Sequence, residues 1–174
     1  VNDMYTATGK YPYSAPLRPL GNYFRNSIKV FCDAYNGAPE YYVIDPTDPI
    51  AQCYASIFPQ LFRSGDQISD HMRSHLRVPQ LLLTIQVSVY ADYHMKDPET
   101  FYQREDRWAI PPEIYSFGRR PIEAFYLVMR LPGEDEPEFL LMMPLVLAGQ
   151  EERNMVAWMA ARCDPKHYGE LVVY

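Results

Sequence analysis

Proline decides what this chain cannot be. Sixteen prolines stand against eight glycines in 174 residues, spread along the whole length. Each removes a backbone N–H and is costly inside a helix, so many short elements are expected rather than a few long helices. With 48% of residues hydrophobic and 22% charged, there is apolar material for one well-buried core, and residues 1–174 are expected to form a single domain or part of one. The longest apolar run, Val78 to Ala91, falls short of the ~18 residues a membrane span needs, and it contains two Gln, a Thr and a Ser.

The proline-punctuated pieces then read in order. Residues 1–25 predict an extended lead-in on the surface. From Asn26 the period becomes two: Ile28, Val30 and Cys32 alternate with Lys29, Phe31 and Asp33, and Asn36-Gly37 offers a tight turn back into Glu40–Ile44. Asp48-Pro49 is a helix start, with Ile50, Tyr54 and Ile57 on one face and a stop at Phe58 before Pro59. Ser69 or Asp70 opens a short helix over SDHMRSHLR. Pro79–Met95 fits a strand through Leu83, Ile85, Val87 and Val89, or a helix face of Leu82, Ile85, Val89 and Tyr93; its length and the early proline favour a buried helix. Asp97-Pro98 repeats the cap, with Phe101, Glu105 and Trp108 on one side of the helix it starts.

Glu123–Leu131 and Glu138–Leu147 read as two apolar central strands joined across PGEDEP, with Pro144 marking an irregular or edge position. Gln150–Cys163 reads as a helix, with Glu151 and Glu152 in its first turn and Arg162 in its last, and ELVVY as a strand. The fold class that follows is α+β: an antiparallel or mixed sheet from two hairpins plus a C-terminal strand, a central group of helices and one helix near the end.

Function is less legible. A net charge of -6 with scattered basic residues, Arg119-Arg120 being adjacent, argues against a nucleic-acid partner. Cys32, Cys53 and Cys163 are an odd set at unrelated spacings and imply neither a disulfide framework nor a zinc site. Asp45 and Asp48 together supply too few oxygens for a cation. His71 and His75, four apart, have metal-capable spacing, but the metalloprotease Glu is missing and further ligands would have to come from Asp92 or His94. The acidic turn Glu134, Asp135, Glu136 suits solubility and edge protection better than a cation. No metal and no cofactor are expected. The best acid/base candidates are His94 with Glu105 or Asp106, which would need burial side by side. The plainer reading of Arg104–Arg107 is a solvated patch of interleaved charges.

Six stretches carry a resemblance: NYFRNSIKVFCDAYNG, YYVIDPTDPI, SHLRVPQ, YADYHMKDPETFYQRED, MRLPGEDEPEFLLMMP and NMVAWMAARCDPKHYGELVVY. With YPYSAP near the start, they resemble, in order and over nearly the whole chain, the soluble region of uncharacterised protein family 0182. Leu81–Gln86 is more apolar than that family's pattern, and His71 lies outside its motifs. The resemblance implies a large multi-pass bacterial membrane protein in the cell membrane, with this region soluble and extracytoplasmic. A first residue other than Met, and a final strand without a turn signal, fit that expectation of a piece from a larger protein. No catalytic residue, cofactor or substrate comes with the family. The expected role is a non-catalytic ligand- or partner-binding region with exposed tyrosines as contacts. The alternatives are a hydrolase-like enzyme using His94 with Glu105 or Asp106, and a structural or assembly module. Expected partners are the rest of the parent membrane protein, a protein or small-molecule ligand, and a second copy through exposed sheet edges.

Overall fold

The Asn36-Gly37 turn forms where the alternation places it, in a computed structural model that describes every residue except Arg18, Ser116, Phe117 and 150–153, and only the backbone at Tyr115. Strand β2 (Tyr23–Cys32) runs antiparallel to β3 (Pro39–Val43) through residues 33–38. Gly37 takes positive φ (+73°), while the Asp33 and Asn36 carboxyl and amide oxygens accept from the N–H groups of Tyr35 and Ala38. The side chains thus hold a wider loop than a two-residue turn.

Val1–Leu76 and Arg77–Tyr174 are two compact units. In the first, the lead-in is more than surface coil. Asn2–Thr8 is strand β1, antiparallel to β2, because Pro12 is its first proline and its N–H groups remain free to pair. The β1–β2 register shifts between Met4 and Thr6, so Tyr5 faces both Asn26 and Ser27, a bulge that re-aims β2 locally. Helix α1 (Pro49–Ile57) crosses from β3 to the parallel strand β4 (Phe62–Ser64), completing a four-stranded sheet ordered β1-β2-β3-β4. Ala51 packs on Ile28 and Val30, while Tyr54 and Ile57 point outward. The expected apolar face of this helix is therefore its exposed one: a strand surface of Ile and Val admits a close helix only over a small residue. A single 3-10 turn (Gly65–Gln67) and the short helix α2 (Asp70–Arg73), capped by Ser69 as expected, end the unit.

In the second unit α3 (Gln80–Tyr93) confirms the helical alternative and corrects its face. Leu83, Val87 and Ala91 are buried, not Val89 and Tyr93. Asp97 caps α4 (Pro98–Gln103), accepting from Thr100 N–H at 2.9 Å. The helix stops earlier than its side-chain pattern suggests, because Arg104 takes a left-handed conformation (φ 57°). Trp108 accordingly lies in a short strand, β5 (Trp108–Ala109).

A two-stranded hairpin follows, β6 (Pro112–Tyr115) with β7 (Gly118–Pro121), its neck tied by Ile122 N–H donating to Pro111 O at 2.9 Å. Strands β8 (Phe125–Arg130) and β9 (Pro137–Leu147) form the second expected hairpin. Only β9 is central. β10 (Met155–Arg162) lies on one side of it, and β8 and β5 share the other. Pro144 falls in the gap between the last β8 pairing, at Met142, and the first β5 pairing, at Val146, where no ladder needs its missing N–H.

The helix expected near the end is instead strand β10, whose partner on the far side is β11 (Leu171–Val173). Residues 150–153 of that expected helix lie outside the described residues. Met and Ala favour helix intrinsically, but here the decisive term is burial on both faces. Ala157, Met159 and Ala161 join the α3-side core with Leu141, Met143 and Leu145, and Ala160 packs with Leu131 and Leu140 on the opposite face. Two tyrosines anchor the approach to α3: Tyr126 donates to Val78 O at 2.7 Å and Tyr168 to Arg77 O at 2.9 Å.

Candidate functional site

His94 ends α3, and its surroundings are aromatic rather than acidic. Its ring stacks on Trp108 (centroids 3.8 Å, 18° between planes), and Nδ1 lies 3.2 Å from Tyr90 O. A proton on Nδ1 would satisfy that carbonyl and leave Nε2 as an acceptor; Nε2 is buried and has no hydrogen-bond partner among the described residues. Glu105 and Asp106 are exposed in the turn after α4. Among the described residues no hydrogen bond or ion pair joins either to His94. Two residues earlier, the half-buried Asp92 is ion-paired with Arg107 at 2.6 Å through its shielded Oδ1, without hydrogen-bond alignment. Phe in place of His94 should keep the stack on Trp108 and remove the buried unpartnered nitrogen. Thermal or urea unfolding of His94→Phe is expected to show a change within about 1 kcal/mol; a loss several times larger would mean that Nε2 has a polar role.

His71 and His75 are exposed and meet edge to face, with centroids 4.9 Å apart. Among the described residues no group of three or more His, Cys, Asp or Glu side chains could hold a metal ion. Asp45 accepts from the Thr47 N–H and hydroxyl and pairs with Arg25 at 2.9 Å. Burial alone would raise its carboxyl, but these partners hold it below the ordinary range.

Asp48 is fully buried. Its Oδ2 accepts from the Thr6 and Ser27 hydroxyls, each at 2.5 Å, and its Oδ1 from the Tyr23 hydroxyl at 2.7 Å and the Ile50 N–H at 3.0 Å. Burial raises the carboxyl; the Ser27, Thr6 and Tyr23 donors more than offset it, so the group stays low. The cap reading of Asp48 is correct but incomplete, since one carboxylate also joins β1, β2 and α1. The sequence signal for the cap was local; the three hydroxyls come from 21 to 42 residues away.

A charged recess that sequence reasoning missed lies around Arg162. Expected at a helix end, Arg162 sits on β10, 7% exposed, with Nε donating to Glu138 Oε2 at 2.7 Å and Nη2 completing a two-point contact with Oε1. Glu134 (3.2 Å) and Glu170 (3.3 Å) also surround it, and His167 Nδ1 lies 3.1 Å from Glu170. The recess beside it, about 520 Å³, is lined by Glu134, Asp135, Glu136, Asp164, Lys166 and His167 among others. Arg162 is held by Glu138, Glu134 and Glu170, and the neighbouring Cys163 thiol is pushed up by burial, away from the thiolate a nucleophile needs.

The remaining feature is apolar. Along the outer side of α3, Leu81, Ile85, Val89 and Tyr93 recur every fourth position; Leu81, Val89 and Tyr93 are exposed, the last at 67%. Phe101 of α4 meets Tyr93 (centroids 5.6 Å), and Tyr102 is 90% exposed. Comparison with known proteins bears on what such a surface belongs to. A model described as Uncharacterised protein family (UPF0182) matches residues 1–174. The chain belongs to that family.

Relatives named only as UPF0182 protein include those of Methanospirillum hungatei (49% identical), Moorella thermoacetica (46%) and Pelotomaculum thermopropionicum (44%). Each alignment covers 99% of this chain and 19–20% of the relative, so the chain spans about a fifth of the length of the curated UPF0182 proteins it matches. No solved structure matches it.

Proposed function

We propose that this part of UPF0182 proteins is a non-catalytic docking module whose contact face is the outer side of α3, continued onto α4, and whose partner is another part of the same large protein. The observation that carries this reading is the Leu81–Ile85–Val89–Tyr93 stripe on a helix already buried along its opposite side. An apolar stripe on the solvent side of a helix whose opposite side is already buried suits a second packed layer, and α3 has Asp92 as its one charged residue, its other polar positions being Gln80, Thr84, Gln86 and Ser88. The scale of the relatives supports an internal partner, because about four-fifths of each lies outside the matched region.

The cell-membrane, extracytoplasmic setting implied by the resemblance belongs to this same proposal. Among the described residues no helix is long and apolar enough to cross a membrane.

The test is thiol labelling. With the exposed Cys32 and Cys53 changed to Ser, a Val89→Cys or Tyr93→Cys side chain should react freely in the isolated chain. In a full-length family member carrying the same change it should react about tenfold more slowly or less, as expected where a packed partner must open first. Equal rates in the two contexts would sink the reading.

A further inference from the structure

The sheet of the second unit has one edge that its side chains leave unguarded. Strand β8 pairs with β9 over an unbroken register from Phe125↔Met142 to Arg130↔Pro137, and no described strand lies on its other side. The other edges are blunted. β4 and β11 are three residues long and β5 two. β1 is offset by its bulge, and the β6–β7 hairpin carries Pro112, Pro121 and the Glu113–Arg120 ion pair. These are the devices by which edges avoid pairing. β8, FYLVMR, contains no proline, no bulge and no charge before Arg130. Val128 is 66% exposed on it, on the same side as Tyr126.

From this we infer that β8 is a strand-addition site for a second copy of this chain, giving a two-fold dimer through an antiparallel β8–β8 ladder. The inference is independent of the α3 surface. An open edge demands a strand, because only another backbone can satisfy alternating N–H and C=O groups along its length. The sequence of β8 suits itself as that strand. A two-fold axis normal to the sheet at Leu127 sets Tyr126 opposite Val128 of the second copy, twice, an aromatic on β-branched pairing of the favoured kind. The same register sets Phe125 opposite Met129 and Arg130 opposite Ala124. The two Arg130 charges are then about 20 Å apart along the ladder, beyond the screening length at physiological salt. Such a pairing is isologous, so it closes at two copies and leaves no β8 edge to propagate.

Sedimentation equilibrium across a concentration series tests it. The unmodified chain should show a monomer–dimer equilibrium, and Val128→Lys should weaken the dimer by about tenfold or more, by placing two cations close together at the axis. Leu171→Lys on β11 and Val89→Lys on α3 should leave it unchanged. Hydrogen exchange supplies a second measurement that needs no substitution: alternate β8 amides should slow as concentration rises into the dimer range. A chain that stays monomeric throughout overturns the inference, as does a dimer that survives Val128→Lys with unchanged β8 exchange. A dimer lost with Val89→Lys alone would place self-association on α3 and overturn it too.

Discussion

Arg162→Ala is expected to destabilise the second unit by about 3–5 kcal/mol in urea unfolding, because removing one member of a buried ion pair leaves the other charge uncompensated. The stranded partner is Glu138, 12% exposed and held by Arg162 at two points. Replacing both residues by apolar ones, Arg162→Met with Glu138→Leu, should recover most of the loss, since the desolvation cost of both charges disappears with them. If the double variant were as unstable as Arg162→Ala, the charged bonds of the pair would outweigh its desolvation cost, because methionine restores an apolar stem of similar length. The pair also sets an acid limit. The Arg162 bond holds the Glu138 carboxyl below its ordinary value of 4.5. A depressed acid contributes stability that is present above the unfolded value and lost as pH falls through the folded one. An acid titration of the unmodified protein should therefore lose stability below about pH 4.5, and Arg162→Ala should lose less over the same range.

The second large effect is at Asp48. Asp48→Ala removes a helix cap and leaves the Thr6, Ser27 and Tyr23 hydroxyls without their acceptor in a buried site. A loss of about 3–5 kcal/mol is expected from the unmet hydroxyls and the cap together. Because three donors share one carboxylate, Thr6→Ala, Ser27→Ala and Asp48→Ala should not be additive: the double variant Ser27→Ala with Asp48→Ala should lose less than the sum. Additive losses would mean that the hydroxyls have other acceptors. The pH dependence has two limbs. The Asp48 carboxyl is held below its ordinary 3.8, so its contribution fades as pH falls beneath that value. The Tyr23 phenol, by burial and then by its bond to Asp48, is pushed up from 10.0 to about 12. Its contribution is complete below pH 10.0 and is lost as pH rises through about 12.

The buried Asp48 and Arg162 side chains join strands, and the His94 ring, whose buried Nε2 has no hydrogen-bond partner among the described residues, lies against a tryptophan and a backbone carbonyl. Apolar side chains also stand outward, in the α3 stripe, at Tyr102 and at Val128 on the β8 edge.

The features legible in the amino-acid order are those decided within a few residues. Asp48, Ser69 and Asp97 cap helices because a short acceptor followed by free N–H groups needs no distant partner. Asn36-Gly37 turns the chain for the same reason, and the α+β class follows from the succession of such local units. What the order left open was every choice between two locally acceptable states. Met155–Arg162 is a good helix by propensity and became a strand because β9 and β11 offered it a ladder and two buried faces. The apolar faces of α1 and α3 were recognisable as apolar, but which of them met the sheet depended on the shape of the strand surface beneath. The Asp48 and Arg162 centres gather residues 21 to 42 and 8 to 28 positions apart. No periodicity encodes that convergence; only the pairing of strands brings those side chains within reach of one another.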